Sequence, residues 1–468
     1  MRDNHIHINP FPLLNILDFK GHQSINQHGY VSFLGHIKAD AVQSCIAVAQ
    51  QENPIIRVTV IDESGSSLLF FAGVLTEFEI TVENQLNLLR AKVMTGTYLM
   101  DLNPHIRSFQ SPAMTYSTVV NTPNGGYDNI SVSINIGGSE QIPGLILQYN
   151  ETDWTFIKRM ASHFNSVLVP SGFSGYPMYD FGIQSRSSGI TIESQTYSIR
   201  KNIGTYMLNR NNGVNGQTEL DVTCYLYKSR EIYALGECVT FNHQPLYISE
   251  IDTSLEGGEL CHIYTLTPKA GLLVPEVYNF DLVGSSLSGK ITAVQKAVVQ
   301  VSVDKDENKT CCGARWFPYA TVYSTPDGTG WYCMPEIGDS IRLCVPAEHD
   351  EQAYVASSVH LTPTVGAARS NPDYKSIMNK QKKEILFTPS SLLITNNNGM
   401  SIELSDQEGI KIISDKAIKI QSDAAVDITS TTSTLSVTAP QRLTFNQGGT
   451  SMNMQNRLVM TGAQVHLD

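Results

Sequence analysis

Between residues 402 and 454 apolar residues come in pairs that flank a single polar one. The pairs are Ile402 and Leu404; Ile410 and Ile412; Ile418 and Ile420; Val426 and Ile428; Leu435 and Val437; Leu443 and Phe445; Met452 and Met454. Successive pairs are separated by 8, 8, 8, 9, 8 and 9 residues. The middle residue is polar every time: Glu403, Lys411, Lys419, Asp427, Ser436, Thr444 and Asn453. Such alternation puts two apolar side chains on one face of a strand and the polar one on the other. Asp, Gly, Ser and Gln, residues of tight corners, fill the intervals. Seven short strands on a fixed beat predict a β-helix or a related solenoid.

Composition alone suggests something else. From Thr388 to Asp468 the only aromatic residue is Phe445, and 20 of 81 residues are Ser or Thr, a mixture that suits a disordered tail. The beat argues for order, but two inward side chains per rung cannot enclose a core. Three chains around a three-fold axis would supply six per rung. A homotrimer is therefore expected, its spike segment (385–468) existing only as an intertwined rod, narrow and polar outside, with the fourteen paired residues as its core. The alternative is a single-chain solenoid packed on the preceding domain.

The segment 285–361 reads as a small barrel. LSGKITAVQKAVVQVSV (287–303) carries two strand-like stretches, and strand signals recur at Tyr319–Tyr323, Ser340–Val345 and Tyr354–Val359. PDGTG, PEIGD and PAEHD turns separate them. Five strands in so short a span suit an OB-like fold. GTGWYCMPEIGDS lacks the G-x-x-x-x-G-K-[ST] pattern and a following helix, so it is not a phosphate loop. Pro335, Gly338 and Asp339 are read as a turn feeding the strand from Ser340. The acidic run Glu348-His349-Asp350-Glu351 reads as a solvated loop. Pro335-Glu336-Ile337-Gly338-Asp339, preceded by Trp331-Tyr332 and followed by that acidic turn and a short last strand, resembles the OB domain of VgrG-type spike proteins. That family includes the hub–spike proteins of contractile-tailed phages. In it the barrel sits directly above a trimeric β-helix, the order found here.

Residues 1–284 carry more strand than helix signal. IIRVTVID (55–62) and LLFFAGVLTEFEI (68–80) read as a hairpin. QYNETDWTFIKRMASHF (148–164) reads as a helix capped by Thr152 or Asp153, with Trp154, Ile157, Ala161 and Phe164 on its apolar face. In the same stretch Tyr149, Glu151, Asp153, Trp154, Phe156 and Arg159 are similar to the Y-x-E-x-D motif of the VgrG and phage late control protein D family. Arg107-Ser108-Phe109-Gln110 and Gly258-Glu259-Leu260 resemble it too. The resemblance implies a mainly β chain: a hub of two similar small barrels with a few helices (1–284), an OB-fold barrel (285–361), a linker (362–384) and the trimeric β-helix. It also implies a ring of three hubs with pseudo-six-fold symmetry, matching a hexameric inner-tube protein.

Little points to chemistry. The net charge of −12 argues against a nucleic-acid partner. No G-x-S-x-G or H-E-x-x-H is present, and a 23-residue linker cannot hold a hydrolase domain. No enzyme activity and no cofactor are expected. The eight cysteines form no C-x-x-C pair and read as free thiols. MRDNHIHINPFPLLN has neither the charged nor the apolar region of a secretory signal. His5-Ile6-His7 alternates like an amphipathic edge strand, and His466 falls in the outward slot of the rod, so neither is expected to hold a metal. The resemblance implies a non-catalytic hub and membrane-puncturing spike of a contractile injection apparatus (phage tail, tailocin or type VI-like device). Such a protein is made in the bacterial cytoplasm, assembled into a baseplate and brought to a target cell envelope. Its partners are baseplate proteins, the tube and a PAAR-type tip protein. A trimeric receptor-binding fibre or adhesin is the alternative.

Overall fold

Alternation builds the large sheet. In Gln27–Ile37 every second residue from Gly29 onward is buried, and in Leu86–Met94 the buried set is Asn87, Leu89, Ala91 and Val93. The strands pair antiparallel with Val31 opposite Val93 and Phe33 opposite Ala91, so both buried sets share one face. Each fully buried Val, Leu or Phe side chain contributes ~1.5–3 kcal/mol. The structure, a computed structural model, describes residues 6–61, 65–83, 86–185, 187–359 and 371–464, and it divides into two units, Met1–Thr362 and Pro363–Asp468.

In the first unit those strands lie within a twelve-stranded sheet. Its path runs Ile6–Asn9, Ile55–Ile61, Ser67–Glu83, Leu86–Met94, Gln27–Ile37, Leu13–Ser24, Gln244–Glu256, Glu259–Thr267, Thr223–Ser229 and Ser198–Lys201. The expected hairpin is there, with Ile56 opposite Gly73 and Val58 opposite Phe71. Ile6 and Ile8 are buried and His7 is exposed on the edge strand, as its alternation predicts, while His5 lies outside the described residues. Each half of the sheet covers its own core, one around Phe19, Phe33, Phe71 and Leu89, the other around Val239, Phe241, Ile248 and Tyr264. The halves meet where Leu13–Ser24 pairs with Gln244–Glu256.

The expected helix at 148–164 is shorter. Ile146–Thr152 is a strand paired with Pro104–Phe109, and the helix spans Asp153–Ser162. Before Trp154 the stretch offers only Tyr149 as an apolar residue, so no helical stripe exists there to bury. Thr152 caps the helix, accepting a hydrogen bond from the Thr155 amide at 3.2 Å. Phe164 sits beyond the helix, its ring packed edge-on to Tyr116 at 4.7 Å.

Five strands form the nearly closed barrel, in the order Phe317–Pro318, Val298–Val303, Ser286–Gln295, Ser340–Cys344 and Tyr354–Ala356. A parallel bridge from Tyr319 to Val355 links its two edges. Two strand expectations change here. Residues 319–323 form no continuous strand: Val322 is 86% exposed, and the chain makes only isolated bridges, Tyr319 to Val355 and Ser324 to Gly330, as it turns back through Pro326-Asp327-Gly328. The last strand stops at Ala356 rather than Val359.

In the second unit, Lys375–Met378, Glu384–Phe387, Ser391–Thr395, Met400–Ser405 and Gly409–Ser414 form an antiparallel meander. Leu443–Gln447, Thr450–Met454 and Leu458–Thr461 form a second. Ile402, Leu404, Ile410 and Ile412 lie on the first sheet, and Leu443, Phe445, Met452 and Met454 on the second. The three pairs between them depart from expectation. Ile418 and Ile420, Val426 and Ile428, and Leu435 and Val437 lie in chain that is neither strand nor helix, where the beat predicts three more strands. Instead of lining a core, Ile420, Ile428 and Val437 are exposed, as are Ile418, Val426 and Leu435. The reason is physical: a strand needs a hydrogen-bonded neighbour, and among the described residues no strand pairs with residues 416–440. The strands of this unit that do pair run as antiparallel hairpins. His466 lies outside the described residues.

Candidate functional site

The motif residues converge on a joint between the N-terminal part and the barrel. The strand Ile146–Thr152 has a core on each side: Ile146 packs with Trp154, Phe156 and Met160, while Leu145 and Leu147 enter the barrel core beside Val299, Val301 and Leu343. Tyr149 packs partly against the barrel core, and its carbonyl accepts from Asn279 Nδ2 at 2.8 Å. Alternation thus makes one strand a wall of both. Trp154 lies edge-on to Tyr179 at 5.7 Å, and Phe156 stacks on Phe109 at 5.7 Å.

Arg159 is the polar centre of the joint and is only 4% exposed. Its Nε and one Nη donate to both carboxylate oxygens of Glu151 at 2.9 and 2.8 Å, and the same Nη donates to the Leu147 carbonyl at 2.6 Å. Its other Nη stands 3.6 Å from Asp350 of the barrel, whose carboxylate also accepts from the Leu147 amide at 2.8 Å. The acidic run 348–351 is therefore not simply a solvated loop. Asp350 is 6% exposed because the short helical turn Asp350–Gln352 aims it inward at Arg159, while Glu348 and Glu351 remain at the surface. Burial alone would lower the Arg159 pKa, but Glu151 and Asp350 together outweigh it and hold the guanidinium above its usual range. Burial raises the Asp350 carboxyl, with Arg159 offsetting only part of that.

A second ionic cluster ties the same strands to the barrel. Asp153 accepts from Arg107 at 2.5 Å, from Gln148 at 2.8 Å and from the Tyr127 hydroxyl at 2.8 Å. Burial, followed by the Asp153 charge, pushes the Tyr127 hydroxyl well above its ordinary value. From the chain after Val298–Val303, Glu307 reaches His105 at 2.8 Å and Arg107 at 3.3 Å. Asp306 accepts from the Ser108 amide at 3.0 Å, and Asn308 donates to the Ser108 carbonyl at 2.9 Å. Asp306, Glu307, Asn308 and Asp350 escape sequence reasoning because they lie about two hundred residues from their partners in the chain. Arg107 and Ser108, quoted with the motif, prove to be on the strand Pro104–Phe109. Pro335 is buried, while Gly338, at φ +95, donates its amide to the Ile291 carbonyl at 2.9 Å. The turn through Asp339 thus hooks onto the barrel and feeds Ser340–Cys344.

In the second unit the apolar pairs that lie on strands stand in register. Leu392 faces Leu404 and Ile394 faces Ile402, while Ile402 and Leu404 in turn face Ile412 and Ile410. Phe445 faces Met452, and Leu443 faces Met454. Directly opposed residues share a face, so each sheet carries an apolar ladder. Among the described residues of this unit none is buried, and Ile410 is 71% exposed. The one group of side chains placed to hold a metal among the described residues is His22, Glu250 and Asp252.

No family model and no curated protein matches the chain. Solved structures do. An E. coli protein described as a component of the type VI secretion system, with structural similarity to the T4 bacteriophage tail proteins gp27 and gp5, superposes with a TM-score of 0.53 at 11% identity, covering 76% of this chain and 99% of that one. A chain of the lidded Francisella PdpA–VgrG complex gives 0.54 at 11% identity, covering 86% of this chain and 76% of that one. The lidless complex gives 0.54 at 10%, covering 85% and 93%. At such identities the likeness is one of fold: this is a mainly β chain whose fold is similar to that of these structures.

Proposed function

We propose that three copies of this chain form the central hub and membrane-puncturing spike of a contractile injection apparatus, joining tube and baseplate to the piercing tip without catalysis. The observation that carries the reading is the second unit, whose apolar residues stand in ladders yet reach no buried state within one chain. Surface of that kind needs a partner, and further copies of the same ladders are the partner whose periodicity matches. Residues 385–468 then become an intertwined β-helix. In it Ile418, Ile420, Val426, Ile428, Leu435 and Val437 gain strand partners from neighbouring chains. The first unit would close into a ring of three under a hexameric tube, and the joint around Arg159 would carry thrust from ring to barrel. Baseplate proteins and a PAAR-type tip protein complete the device, which is made in the cytoplasm and acts at a target envelope. A receptor-binding fibre would account for the rod but not for the fold of the first unit.

Ile418→Asp tests the reading by placing three like charges near one axis. Analytical ultracentrifugation is expected to find the variant unable to trimerise. A variant trimer with unchanged melting would sink the proposal.

A further inference from the structure

His22 lies on Leu13–Ser24 and stands directly opposite Asp252 on Gln244–Glu256, with Glu250 two residues away on the same face. His22 Nδ1 is 2.8 Å from Asp252 Oδ1 and 3.8 Å from Glu250 Oε1, and one ligand atom from each residue fits within 4.8 Å of the others. Neighbouring ligands of a cation about 2.0–2.2 Å away stand roughly 3 Å apart, so modest side-chain adjustment would close the triad on one ion. A register shift between Ile248 and Glu250 interrupts the ladder to Glu259–Thr267 immediately before Glu250. Such bulges re-aim side chains. Thr265 Oγ1 donates to Glu250 Oε2 at 3.4 Å, steadying the carboxylate from outside the triad.

Charge gives a second reason. Among the described residues, the ion pairs of Glu250 and Asp252 are with His22 alone, while the nearby Lys20 and Lys92 pair with Asp18 and Glu77. Two carboxylates converge on one imidazole here, a set of ligand atoms that a divalent cation would bridge. We propose that His22, Glu250 and Asp252 bind one first-row divalent ion of the Zn2+ or Mn2+ class. The imidazole suits Zn2+ better than Mg2+ or Ca2+, and the two carboxylates also suit Mn2+. His22 would offer the Nδ1 lone pair with its proton on Nε2, coordination would replace its hydrogen bond to Asp252, and water would fill the open positions.

The position suggests a purpose. The two halves of the sheet are joined by five register pairs, against nine in each flanking ladder. An ion taking one ligand from Leu13–Ser24 and two from Gln244–Glu256 would clasp that seam. This does not depend on the spike reading.

The test is titration calorimetry of the EDTA-treated full chain with ZnCl2, MnCl2 and CaCl2. One Zn2+ or Mn2+ per chain is expected, with affinity on the order of tenfold weaker or more in His22→Ala and in Asp252→Asn. His22→Gln serves as a second variant should His22→Ala lose its native circular dichroism. Absence of binding, binding unchanged in folded variants, or Ca2+ binding that ignores His22 would each overturn the site.

Discussion

Arg159 shows how one residue can tie a helix to the barrel beside it. It faces Glu151 of the strand Ile146–Thr152 through a two-point hydrogen bond and Asp350 of the barrel at 3.6 Å. The two carboxylates are not equivalent. Burial raises Asp350, so its negative charge is poorly tolerated even beside Arg159, whereas its acceptor role toward the Leu147 amide survives in a neutral amide. Removing the guanidinium strands the Glu151 carboxylate in the interior, which costs roughly 3–5 kcal/mol. Replacing Asp350 by Asn keeps an acceptor and removes a charge, so it should cost under about 1 kcal/mol. Urea denaturation of Arg159→Ala and Asp350→Asn should therefore separate them in that order, and the reverse order would refute this description of the joint.

At the scale of elements, two histidines, His262 buried and His163 half-buried, link stability to acidity. His163 closes the helix Asp153–Ser162, with Tyr116 Oη 2.7 Å from its Nδ1, and burial followed by the Arg159 and His349 charges pulls its pKa down to about 4. His262 stacks on Phe70 at 5.2 Å between strands of the large sheet, and burial lowers it to about 4 as well. Above pH about 6.5 both are neutral, folded or unfolded. As pH falls from about 6.5 to about 4, the unfolded chain takes up protons that the folded one refuses, so stability declines and levels off below about 4. Melting temperature followed across that window should fall, and His262→Leu should flatten the slope. A variant with the wild-type slope would remove His262 from this account. The same elements show where sequence was readable. The hairpin from Ile55 and the strands carrying the pairs at Ile402, Ile410, Leu443 and Met452 were legible because alternation depends on neighbours in sequence. The strand at Ile146–Thr152 was not, because its partners lie on Pro104–Phe109 and its polar residues answer to Arg107 and Arg159.

Across the whole molecule, the motif residues from Tyr149 to Arg159 could be picked out in sequence but not their use. Asp350 and Asp306 give no local sign of reaching Leu147 and Ser108, 203 and 198 residues away. The seam residues His22 and Asp252, 230 apart, are equally silent. The second unit reverses the situation, since its sequence pattern states more than one folded chain can satisfy. Three of its seven apolar pairs, ending in Ile420, Ile428 and Val437, lie outside any strand, and none of its described residues is buried. The proposed rod, formed only by assembly, would explain both. The direct measurement is the solution mass of the full chain by size-exclusion light scattering. The account predicts the mass of three 51.5 kDa chains, unchanged on dilution. A stable monomer would mean that the ladders stay open or close within one chain, and the shared-axis spike would be wrong.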